Sequence, residues 1–133
     1  MAKKNVIKLE FDFPAAVLGI ASNDRVWKVC WKINQQLGLE LATAEDDVHR
    51  VKGPELYTDN DSDPDFEYVF FENSLKSKKT PPLARQFRYW LVIKPNRELE
   101  PPVSHLLAEL SKIDVVSLAH DLSNEKDIKK LLP

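Results

Sequence analysis

The sequence predicts an α+β domain with a mostly antiparallel sheet, two main helices packed on one face and a short C-terminal helix. Two observations carry this. Residues 66–72 and 86–94 are dense in aromatic and β-branched side chains, as strands are, whereas residues 24–37 and 101–113 space their apolar side chains at helical intervals. The elements also follow one another as strand, strand, helix, several strands, helix and strand, an order that suits helices gathered on one side of an antiparallel sheet.

Taken in order, residues 6–13 alternate, with Ile7, Leu9, Phe11 and Phe13 on one face and Lys8, Glu10 and Asp12 on the other; Pro14 stops this strand. A short apolar run, 17–21, ends at Ser22-Asn23-Asp24, a helix-start cluster. The helix that follows spans 24–37, and Gly38 terminates it. Val26, Val29, Cys30, Ile33 and Leu37 form one stripe, and Trp27 and Trp31 widen the apolar arc to roughly 200°. An arc that wide implies either deep burial or contact with a second surface. Leu39-Glu40-Leu41 starts a further strand, and 46–52 forms another anchored by Val48 and Val51. Residues 53–65 read as a loop, 66–72 as a strand and 74–82 as a lysine-rich connection. In the strand 86–94, Phe87, Tyr89, Leu91 and Ile93 share one face, and Gln86, Arg88, Trp90 and Val92 the other. Pro101 and Pro102 open the second helix, with Leu106, Leu107, Leu110 and Ile113 as its stripe. A strand at 114–120 and a short helix at 124–132 complete the chain.

A chain of 133 residues suits one domain, 1–133, with a substantial core. The net charge of −2 supplies no global field toward nucleic acid or anionic lipid. Cys30 is the sole cysteine, so no intramolecular disulfide forms, which fits a reducing compartment. Lys8, Glu10 and Asp12 interrupt what would be the apolar part of a signal peptide, and no apolar run is long enough to span a bilayer. The expected location is the cytoplasm.

The segment Pro81-Pro82-Leu83-Ala84-Arg85-Gln86-Phe87-Arg88-Tyr89 resembles the signature of the IPExxxVDY family, small uncharacterised proteins of Bacteroidetes. Pro82 and Tyr89 match at the right spacing, and Phe87 stands in for the valine; Pro81, Leu83 and Arg88 depart from the isoleucine, glutamate and aspartate. A second block, Leu18-Gly19-Ile20-Ala21-Ser22 with Trp31, Asn34 and Leu37-Gly38-Leu39, is similar to the family's N-terminal region. The resemblance implies a fold and a compartment but no activity. Because this chain lacks both signature acids, it gives them no catalytic role.

Other constellations are weaker than they first look. Asp59-Asn60-Asp61-Ser62-Asp63-Pro64-Asp65 alternates oxygen ligands like the start of a calcium loop, yet Pro64 occupies the glycine position and Phe70 the position of the bidentate glutamate, so a solvated turn is expected. His49, His105 and His120 have no partner at zinc-motif spacing. Cys30 lies on the apolar stripe and reads as a small hydrophobe. Asn34 falls inside the apolar arc and needs a hydrogen-bonding partner, either nearby backbone or a ligand.

The sequence therefore points to a non-enzymatic cytoplasmic protein-interaction domain that self-associates, as a dimer, through tryptophan-bearing surface. The residues expected to bind a partner or ligand are Trp27, Trp31, Asn34, Arg88, Tyr89 and Trp90; no catalytic residue, metal or cofactor is assigned. An alternative is a small-molecule or enzymatic pocket around Trp27, Trp31 and Asn34, drawing on Tyr89. A third reading is weak RNA binding through Arg85, Arg88 and the nearby Lys76, Lys78 and Lys79, against which the net charge speaks.

Overall fold

The computed structural model describes residues 13–43, 55–73, 82–125 and 128–132. Among these residues six strands form one sheet: β1 (Ala16–Ala21), β2 (Ala42–Thr43), β3 (Tyr57–Asp59), β4 (Phe66–Glu72), β5 (Tyr89–Pro95) and β6 (Leu118–Asp121). Their order across the sheet is β2-β3-β4-β5-β1-β6, and every neighbouring pair is antiparallel. With the helices α1 (Val26–Leu37), α2 (Pro82–Arg85) and α3 (Val103–Leu110), this is the predicted α+β architecture.

Helix α1 leaves the end of β1, and α3 joins β5 to β6. Both pack on one face of the sheet. Val29, Cys30 and Ile33 of α1 and Leu106 and Leu110 of α3 meet Leu18, Ile20, Phe70, Tyr89, Leu91 and Ile93 in one buried cluster. The first turn of α1 differs from expectation. Helical residues begin at Val26, Arg25 caps them without a side-chain bond, and the Ser22 hydroxyl instead accepts the Asp24 N–H. The other end is as read: Gly38 takes a left-handed conformation, φ 68°, in which its N–H reaches the Asn34 carbonyl.

The opposite face of the sheet is also buried, and this corrects the reading of β5. Trp90 is only 1% exposed and packs with Val17, Val69, Phe71, Val92, Leu122 and Ile128 in a second cluster. It is an interior residue, covered by α2, the C-terminal turn at Ile128–Leu131 and neighbouring segments of its own chain. Phe87 belongs to the same cluster rather than to the Tyr89 face, because the chain is still turning there: Gln86 and Phe87 donate to the Leu83 and Ala84 carbonyls, and β5 begins only at Tyr89. Gly19 makes room for that ring, since a Cβ there would stand 2.5 Å from Phe87 Cγ.

Other elements shift less. The expected loop 53–65 contains β3, the strand placed at 114–120 shortens to β6, and the terminal helix is a 3-10 turn. The alternating segment up to residue 12, the strand at 46–52 and most of the lysine-rich connection lie outside the described residues.

The acidic turn after β3 is organised by Asp59. Its carboxylate accepts the N–H groups of Glu40, Asp61 and Ser62 at 2.7–3.0 Å, tying β3 to the chain that leaves α1. Burial by itself would raise this pKa; the hydrogen bonds from Ser62, Glu40 and Asp61 outweigh it and hold the group at about 2. A depressed pKa adds stability that is present above the ordinary carboxylate value and lost as pH falls through the folded one. Unfolding free energy is therefore expected to fall by roughly 2 kcal/mol between about pH 4 and pH 2, and Asp59→Asn to remove that part of the acid limb. An unchanged pH profile in the variant, measured by urea unfolding, would dismiss Asp59 as the anchor of this turn.

Candidate functional site

Helix α1 uses only the narrow part of its apolar arc for the core. Trp27 and Trp31, about 100° and 140° round the wheel from Val26, point outward and are 61% and 53% exposed. They stand one turn apart on the same flank, beside a shallow depression of about 400 Å³ lined by Asp24, Arg25, Trp27, Lys28 and Trp31. The charges around them are arranged in pairs. Lys28 lies 3.5 Å from Asp24, and Lys32 lies 3.2 Å from Asp114 with its ammonium 5.7 Å from the Trp31 ring. Helix α1 itself carries no acidic residue.

The remaining residues expected in the site have internal partners. Asn34 pairs with Leu41 in both directions: its Nδ2 donates to the Leu41 carbonyl at 3.1 Å, and the Leu41 N–H donates to its Oδ1 at 2.9 Å. The amide thus fixes the chain leaving the helix, and it does not line the tryptophan depression. Tyr89 is buried beneath α1, and its hydroxyl donates to the Asp24 carbonyl at 2.5 Å. That bond ties the start of α1 to the sheet and so holds the turn on which Trp27 stands. Arg88 bonds Glu72 at 2.8 Å and lies 5.1 Å from the Tyr89 ring. Trp90 is on the far side of the sheet from the other two tryptophans.

Cys30 is buried, with its Sγ 3.8 Å from the Leu41 carbonyl, and burial pushes the thiol up to about 11. It therefore carries no thiolate near neutral pH. Among the described residues, no group of three His, Cys, Asp or Glu side chains is placed to hold a metal ion. His105 is exposed, His120 stacks at 6.0 Å on Phe87, and His49 lies outside the described residues.

Sequence reasoning missed a second surface feature. A cleft of about 490 Å³ opens where the residues preceding β1 meet the β5–α3 connection and the end of β6. Phe13, Leu99, Pro101 and Val103 give it apolar walls, while Glu98, Glu100 and Asp121 supply carboxylates against Lys129, the one cation lining it among the described residues. Its walls come from chain segments more than 80 residues apart, so no local pattern announces it; the one sequence trace is the Glu98-Leu99-Glu100 triplet after β5.

No protein-family model, curated protein or solved structure matches the chain. Among the described residues, no helix is long and apolar enough to cross a membrane.

Proposed function

We propose that this chain is a non-enzymatic protein-interaction domain of the cytoplasm that self-associates through the Trp27/Trp31 face of α1. The observation that carries the reading is the exposure of two neighbouring indoles on a rigid helix whose other apolar positions are packed inside. Tryptophan is enriched where association energy concentrates, and a buried indole removes about 150–250 Å² from water. Tyr89 and the Leu41–Asn34 pair hold the two ends of α1, so little conformational freedom is lost when the face is covered. The unpaired state of Cys30 supports a reducing compartment.

The competing readings have lost residues. A ligand pocket built on Asn34 has to break both of its bonds to Leu41, and RNA stacking beside Arg88 has to displace Glu72 and uncover an interior Trp90. Light scattering at micromolar concentration tests the proposal. The wild-type chain is expected to show a mass above that of the monomer, and Trp27→Ala or Trp31→Ala to weaken association by more than about 1 kcal/mol. A clean monomer at all accessible concentrations would sink it.

A further inference from the structure

Resting on the self-association proposed above, we infer that the contact is head-to-tail: the Trp27/Trp31 face of one copy seats in the acid-rimmed cleft of the next. A two-fold contact between two α1 faces is the obvious alternative, and charge argues against it. Around the tryptophans lie three cations, Arg25, Lys28 and Lys32, and two carboxylates, Asp24 and Asp114; Lys28 is paired with Asp24 and Lys32 with Asp114, which leaves the face a net charge of +1 from Arg25. Doubling this face brings the two Arg25 guanidinium groups toward one another with no acid on α1 to answer them.

The cleft has the opposite character. Among the described residues, three carboxylates, Glu98, Glu100 and Asp121, face one lysine, Lys129, around an apolar interior. Its volume of about 490 Å³ leaves room for an indole side chain. Trp27 or Trp31 entering it meets Phe13, Leu99 and Val103, while Arg25 comes to the acidic rim.

The placement of the two surfaces fits this arrangement. Helix α1 follows the C-terminal end of β1, and the cleft gathers around the N-terminal end. The six residues of β1 separate the two ends by about 17 Å at ~3.3–3.4 Å per residue, and α1 is anchored to the sheet by Tyr89, so a copy cannot fill its own cleft. A contact between two different patches closes reciprocally between two copies, closes into a larger ring or grows as an open chain, according to the rotation that relates the copies.

Two surface variants decide the matter, each first shown by circular dichroism to be folded. One carries Trp27→Ala with Trp31→Ala and so lacks the inserting face. The other carries Glu98→Lys with Glu100→Lys and so lacks the receiving rim. In light scattering, each alone is expected to associate at least about 10-fold more weakly than wild type. Mixed one to one, they retain a single complementary pair of surfaces and are expected to form a heterodimer that grows no further. Added salt is expected to weaken wild-type association, because the rim pairs are of opposite charge. Normal association of the Glu98/Glu100 variant, or absence of a heterodimer in the mixture, would overturn the head-to-tail contact while leaving self-association standing. A wild-type chain that stays monomeric would overturn both.

Discussion

Trp90→Ala is expected to cost about 3–5 kcal/mol of unfolding free energy, the range for truncating a large buried aromatic side chain. The indole is 1% exposed and lies against Phe71, with ring centroids 5.9 Å apart, in the cluster that fills the sheet face opposite α1. Removing it leaves a cavity between β5 and the segments covering that face. Some relief accompanies the loss, because Trp90 Nε1 is buried with no hydrogen-bond partner among the described residues, and an unsatisfied buried donor costs about 1–3 kcal/mol. Trp90→Phe keeps most of the apolar volume and deletes the unpaired N–H, so it is expected to lose much less than the alanine variant. Urea unfolding of the two variants checks both statements. A loss below about 1 kcal/mol in Trp90→Ala would mean that the second cluster is not a working core.

The misreading of Trp90 shows what the sequence could and could not disclose. Alternation along 86–94 was legible, and Tyr89, Leu91 and Ile93 do face the helices. The start of the strand was not. Because Gln86 and Phe87 are still bonded into the α2 turn, the polar neighbours Gln86 and Arg88 precede the strand and say nothing about which face Trp90 occupies. That face is buried by residues distant in sequence, among them Val17, Leu122 and Ile128, which local periodicity cannot report. Strand β3 was hidden for a related reason: Tyr57-Thr58-Asp59 sits in a polar run and is held in place by pairing with β2 and β4 and by the Asp59 carboxylate. The widened arc of α1, by contrast, was visible in the sequence, and the two tryptophans responsible for it are the residues left outside. Periodicity showed a surplus of apolar surface; only the packing showed where the surplus lies.

Helix α1 therefore offers an internal contrast. Ile33→Ala is expected to destabilise the chain by about 2–5 kcal/mol, because its side chain is fully buried between Val29, Cys30 and the sheet and its loss adds a cavity to the lost burial. Trp31→Ala, two residues away, removes a larger side chain from the same helix and is expected to change stability by no more than about 1 kcal/mol, since about half of that residue is already in water and its loss leaves no enclosed cavity. The contrast is informative because helix propensity works in the same direction in both: alanine is the best helix former, so any large loss in Ile33→Ala comes from packing. Unfolding of the two variants should be compared at a concentration low enough to keep the chain monomeric, so that association does not add to the apparent stability. Equal losses would mean that Trp31 is packed in the monomer and would remove the basis for its role at a contact. A large loss for Ile33 alone leaves Trp31 with no part in folding and its exposed indole available to a partner.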